Sequence, residues 1–148
     1  RPIVYTDIAS VYNVNKICLP VSYSIIEYVI FLNSSNKIIF VAEYQNVIVG
    51  YILCEIKNDT RLIHVMSFAV LPKCRQHGIG TKLMNKVIEY AKSINYQSVS
   101  LFVHVENIKG ISFYKKNGFL IVETLLNFYN GSIPFEKSCD ANYMVKNI

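Results

Sequence analysis

Apolar residues fall into runs bounded by polar turns. "KIIFVAEY" (37–44) and "VIVGYILCEI" (47–56) are separated only by Gln45 and Asn46, the spacing of a two-residue β-hairpin. The polar turn "KNDT" leads to a third strand, "RLIHVMSFAVL" (61–71), which Pro72 ends. Together these predict an antiparallel meander. "SVSLFVHV" (98–105), "FLIVETLLNFY" (119–129) and "NYMVKNI" (142–148) read as later strands, the last two joined by an irregular loop over 130–140. Helical spacing appears in "DIASVYNVNKIC" (7–18) and in "SIIEYVIFLN" (24–33), with Ser24 as N-cap. A long amphipathic helix around "KLMNKVIEYAKSI" (82–94) is opened by Gly78 and Gly80, and "NIKGISFYKKN" (107–117) is capped by Asn107 and closed by Gly118. The strand after the long helix returns through a helical crossover and so lies parallel to its predecessor. One mixed sheet with helices packed on it follows.

The 148 residues fit a single domain, 1–148. Hydrophobic residues at 52% and charged residues at 17% exclude a disordered chain. No apolar run approaches the roughly 18 residues of a membrane span, and the first residues lack the order of a signal peptide. These readings point to a reducing, cytoplasmic setting and no membrane partner. Cys18, Cys54, Cys74 and Cys139 form no C-x-x-C pair, so packing thiols are expected and no metal site. The net charge of +5 comes from lysines spread along the chain. That argues for a solvated face and one anion site rather than sequence-specific nucleic-acid binding.

The anion site is expected in "CRQHGIGTKL" (74–83). Gly78 and Gly80 let the backbone turn tightly, the helix N-terminus carries partial positive charge, and Arg75 adds a cation. Amides from Gln76 to Gly80 suit a diphosphate. The P-loop and dinucleotide patterns do not match.

Arg75, Gly78 and Gly80 after a strand, followed by Asn107, Phe113, Tyr114, Gly118 and Phe119, resemble the acetyl-coenzyme A pattern of the GNAT acetyltransferases. "LPVSY", "RLIHVMSFAVLPKCRQHGIGTKLMNKV", "FYKKNGFLIVET" and "NFY" resemble the protein N-terminal acetyltransferases of the NatE catalytic-subunit kind, over nearly the whole chain from about Leu19. The resemblance implies an α/β (α+β) GNAT fold, with a mixed, mostly antiparallel sheet of about seven strands flanked by four helices. It further implies acetyl-CoA held by Phe68, Ala69 and Val70 along the pantetheine, by Arg75, Gln76, His77, Gly78, Ile79, Gly80 and Thr81 at the diphosphate, and by Asn107 and Tyr114. Tyr114 would also protonate the leaving thiolate. Leu19, Pro20, Val21, Tyr23, Met66, Phe102, Phe128 and Tyr129 would receive the acceptor, a peptide N-terminus with an initiator methionine. A ribosome-associated NatA-type auxiliary subunit is the implied protein partner.

The chain departs from that family at the base. His64 stands where the family has a tyrosine, and Phe102 where it has a histidine. His64 and His104 are the candidate replacements, since a neutral imidazole is a competent base near neutral pH. His64 is favoured by position. Three readings therefore compete: α-amino acetylation of protein N-termini, acetylation of lysine or a small amine on the same fold, and a non-catalytic acetyl-CoA-binding subunit.

Overall fold

The computed structural model describes residues 1–129 and 139–148. Helices α1 (Ile8–Cys18) and α2 (Ile25–Leu32) come first, then strands β1 (Lys37–Tyr44), β2 (Val47–Lys57) and β3 (Leu62–Val70). Helix α3 (Ile79–Ser93), β4 (Ser98–His104), α4 (Ile108–Lys116), β5 (Leu120–Leu125) and β6 (Ala141–Asn147) complete the chain. Local chemistry accounts for several of these boundaries. Gln45 and Asn46 both take positive φ, 49° and 63°, the turn that matches the twist of a hairpin. Ser24 and Glu27 form a reciprocal capping box at the start of α2. Gly118, at φ 89°, closes α4 in the left-handed region.

The sheet runs β1-β2-β3-β4-β6-β5, antiparallel throughout except for the parallel β3–β4 pair. Among the described residues it has six strands where about seven were expected. Residues before α1 add only an isolated bridge, Pro2 to Phe40, flanked by hydrogen bonds from the Ile3 N–H to the Ile39 carbonyl at 3.0 Å and from the Val41 N–H to the Arg1 carbonyl at 2.8 Å, before a 3-10 turn at Tyr5–Asp7 leads into α1. The last hairpin is also shorter than the apolar run 119–129 implied. Asn127, at φ 53°, interrupts the regular ladder: its backbone N–H donates to Asp140 Oδ1 at 2.7 Å, and the Tyr129 N–H donates to the Cys139 carbonyl at 2.9 Å.

Helices α1 and α2 cover one face of the sheet, burying Val11, Val14 and Tyr28 against Val41, Tyr51 and Leu53. Helix α3 covers the other, where Met84, Val87 and Ala91 pack on Ile52, Cys54, Ile63, Val65 and Leu101. Each such side chain, fully buried, contributes roughly 1.5–3 kcal/mol.

One irregularity shapes the whole molecule. Consecutive residues Leu53 and Cys54 of β2 face Ser67 and Val65 of β3, so Met66 is the extra residue of a β-bulge. The alternation of β3 inverts there. Ile63 and Val65 join the core under α3, whereas Ala69 joins the core under α1. The β3–β4 ladder stops at Val65 and Leu101, immediately before the bulge. Beyond it β4 pairs only with β6, as far as His104 and Ala141. Two parallel strands therefore splay apart, and the wedge between them is the site.

Candidate active site

The turn after β3 has the backbone of an anion cradle. Gln76 (φ 64°) and Gly78 (φ 78°) are left-handed while His77 between them is not, an alternation that turns successive N–H groups to one side. Helix α3 begins directly after, and no side chain caps its first amides. Arg75 Nε donates to the Val70 carbonyl at 2.8 Å, and His77 Nδ1 donates to the Arg75 carbonyl at 2.8 Å, so both side chains brace the turn. The two glycines differ in role. A Cβ on Gly78 would meet no atom within 4 Å, leaving that side open for a ligand. On Gly80 it would stand 3.2 Å from the rings of Phe68 and Phe113, so Gly80 lets α3 approach β3 and α4.

The wedge is a cleft of about 710 Å³, within the usual range for ligand pockets. Phe68, Asn107 and Tyr114 line it on the side of the anion turn. Asn107 Oδ1 accepts the Gly110 amide at 3.0 Å, so it caps α4 while lining the cleft. The Tyr114 ring rests on Phe68, Phe113 and Phe119 at centroid distances of 6.3, 5.5 and 5.9 Å. Burial raises the ionisation of its phenol above the ordinary range, so the hydroxyl keeps its proton. Leu19, Pro20, Val21, Tyr23, Met66, Phe102, Phe128 and Tyr129, all named from sequence as acceptor residues, line the same cleft. Phe128 stacks on Phe102 at 4.5 Å and meets Tyr129 edge-on at 5.0 Å.

The histidines do not share one space. His104 lines the cleft with Tyr114. Its Nδ1 accepts the Glu106 amide at 3.1 Å, which puts the proton of the neutral ring on Nε2. His64 lines a separate hollow of about 230 Å³ with Lys57, Ser100, Glu123 and Tyr143, behind the Phe102 ring that borders both spaces. Position along β3 had favoured His64 as the base. In the fold its Nδ1 instead pairs with the Ser100 hydroxyl at 2.8 Å, and burial lowers its ionisation to about 4. A smaller ring at the family's tyrosine position does not extend into the wedge, and Phe102 fills the space between.

Contributors that went unread in the sequence include Cys18, Ser67 and Glu106, which line the cleft, and Asn15, which is fully buried. The available signal was spacing: of the two asparagines of α1, Asn13 is exposed and Asn15 falls on the buried stripe with Ile8, Val11 and Val14. The four cysteines are unpaired. Among the described residues no cluster of metal-ligating side chains occurs, and no helix is long and apolar enough to cross a membrane.

A parallel pair split by a bulge, next to an uncapped helix start with alternating backbone hand, is the arrangement of an acyl-CoA-dependent acyltransferase. The chain belongs to the acetyltransferase (GNAT) family, whose profile matches residues 8–119. It is 32% identical over 145 residues to the probable N-acetyltransferase san of Drosophila melanogaster, covering 96% of this chain and 76% of that one. Against the N-alpha-acetyltransferase 50 of Danio rerio it is 30% identical over 146 residues, covering 96% and 83%. The crystal structure of Arabidopsis thaliana Naa50 with the bisubstrate analogue CoA-Ac-MVNAL superimposes with a TM-score of 0.82 at 27% identity, covering 100% of this chain and 97% of that one. The protein is an acetyl-CoA-dependent acetyltransferase, similar to the N-alpha-acetyltransferases.

Proposed function

We propose that the protein acetylates the α-amine of protein N-termini, with initiator methionine as the favoured first residue. The carrying observation is the lining of the cleft. Leu19, Pro20, Val21, Met66, Phe102 and Phe128 give a mostly apolar pocket facing Phe68 and Tyr114 across the wedge. A flexible, unbranched thioether suits such a pocket better than a lysine ammonium, which would lose its hydration there. The related Arabidopsis structure holds an analogue whose peptide part begins with methionine.

Acetyl-CoA fits the residues present. Its diphosphate would lie on the 75–81 turn, its pantetheine along the free edge of β3 at Phe68, Ala69 and Val70, with Asn107 alongside. It supplies an acetyl group activated as a thioester. Tyr114, kept protonated by burial, would hand a proton to the departing sulfur. An amine attacking directly, with both substrates bound, needs only to be neutral. An N-terminal amine with a pKa near 7.7 to 8.0 is partly so at neutral pH. His64 is set behind Phe102 and His104 carries a backbone donor on Nδ1, so neither offers an open base to the cleft. Water in the cleft is therefore the proton acceptor in this reading.

Nascent chains in the cytoplasm are the substrates this chemistry implies, with a NatA-type auxiliary subunit as a route to the ribosome. Peptides with free N-termini, incubated with acetyl-CoA and read by mass spectrometry, test the proposal. Transfer to Met-first peptides supports it. Transfer confined to internal lysines supports the lysine reading in its place.

A further inference from the structure

Asn15 is the polar exception on the buried side of α1, with 0% exposure. A carboxamide in such a place destabilises unless its donors and acceptor find partners. Its Oδ1 accepts the backbone N–H of Tyr23 at 3.0 Å. Its Nδ2 donates to Tyr51 Oη at 2.7 Å and lies 3.5 Å from Ser67 Oγ. A backbone amide can only donate, so the orientation of the carboxamide is settled by Tyr23. Tyr51 Oη must then accept from Asn15, and it shares a second hydrogen bond with Ser67 Oγ at 2.5 Å in which either hydroxyl can donate.

This chain of hydrogen bonds joins the two walls of the cleft. Tyr23 ends the Leu19–Tyr23 segment, and Ser67 directly follows the Met66 bulge that splits β3 from β4. The backbone of residues 20 to 23 makes no hydrogen bond to other backbone among the described residues. The bond to Asn15 is its polar fixed point. Edge-on ring contacts from Tyr23 to Tyr28 (6.0 Å) and to Phe31 (5.2 Å) supply the apolar support.

We infer that Asn15, through Tyr51 and Ser67, is a positioning residue for the acceptor: it holds the Leu19–Tyr23 wall in register with the bulge, and so sets the width of the pocket for the first residue. The inference rests on reading this cleft as the acceptor site. None of its hydrogen bonds involves the cofactor turn at 75–81, which follows the end of β3.

Steady-state kinetics with a Met-first peptide and acetyl-CoA provide the test. Asn15→Leu removes both halves of the link, Tyr51→Phe removes only the half toward Ser67, and Asn15→Asp keeps an acceptor for Tyr23. Tyr12→Phe is the control, since Tyr12 lies on the same helix but makes none of the hydrogen bonds that join Asn15, Tyr23, Tyr51 and Ser67. Asn15→Leu should raise the peptide KM roughly tenfold or more while the acetyl-CoA KM stays within about twofold, as expected for an interaction felt by one substrate only. Asn15→Asp should recover part of the loss, and preference for methionine over serine at the first position should narrow in Asn15→Leu and Tyr51→Phe but not in Tyr12→Phe. If Asn15→Leu does not fold, Tyr51→Phe carries the same comparison. Equal changes in both KM values, or an unchanged peptide KM in folded variants, overturn the inference. If the wild-type protein transfers acetyl to no peptide N-terminus, it is the acceptor reading itself that has failed.

Discussion

His64 Nδ1 lies 2.8 Å from the hydroxyl of Ser100, its register partner across the parallel β3–β4 ladder. The pair stands below the point where that ladder splits, so the imidazole belongs to the closed part of the sheet rather than to the wedge. Burial holds it neutral down to about pH 4.

A neutral His64 throughout the neutral range leaves no imidazole limb in the pH profile of the reaction. Turnover should rise with pH as the acceptor amine loses its proton, following an ionisation near 7.7 to 8.0. His64→Phe should keep that profile and retain turnover within a few-fold. A limb near pH 6.5 that vanishes in His64→Phe would show His64 to be the base.

The same lowered ionisation has a consequence for stability. His64 binds its proton less readily folded than unfolded, so the contribution is intact above the unfolded value near 6.5 and is lost as pH falls toward about 4. The denaturation midpoint should decline over that window in the wild type. In His64→Phe the decline should be shallower.

Tyr114→Phe keeps the ring contacts with Phe68, Phe113 and Phe119 and removes only the hydroxyl. If that hydroxyl supplies a proton, turnover should fall by roughly 10² to 10⁴ while coenzyme A affinity measured by calorimetry changes little. Parallel loss of affinity would indicate a role in binding instead.

Gly78 and Gly80 should separate ligand binding from packing. Gly78→Val forces a β-branched residue into φ 78° and fills the open side of the turn, so coenzyme A affinity should fall sharply. Gly80→Ala places a methyl 3.2 Å from two rings and should lower the melting temperature. Calorimetry and thermal denaturation on both variants distinguish the two effects.

What the sequence made legible follows from the range of the chemistry involved. The hairpin at Gln45 and Asn46, the Ser24 cap and the turn at Gly78 are decided by residues within a few positions of each other, and all appear in the fold. The bulge is different. Within "IHVMSFAV" nothing marks Met66 as the extra residue, because its place is set by pairing with Leu53 and Cys54. The setting of His64 likewise depends on Ser100 and Phe102, more than thirty residues away, and on a face that strand periodicity could assign only as one of two. The acceptor residues were readable as a set through resemblance, yet Asn15, Tyr51 and Ser67 behind them carry no local pattern that distinguishes a network from three polar core residues.

The central claim is transfer to a free protein N-terminus, and one measurement bears on it most directly. The purified protein is given acetyl-CoA and an equimolar mixture of peptides beginning Met-Leu, Met-Lys and Ser-Glu, together with an N-terminally blocked peptide carrying an internal lysine, and fragment-ion mass spectrometry locates each added acetyl group. Acetyl on the α-amine of the two Met-first peptides, well ahead of Ser-Glu and of the lysine, is the predicted result. Acetyl on the internal lysine alone, or on none of the four, contradicts it.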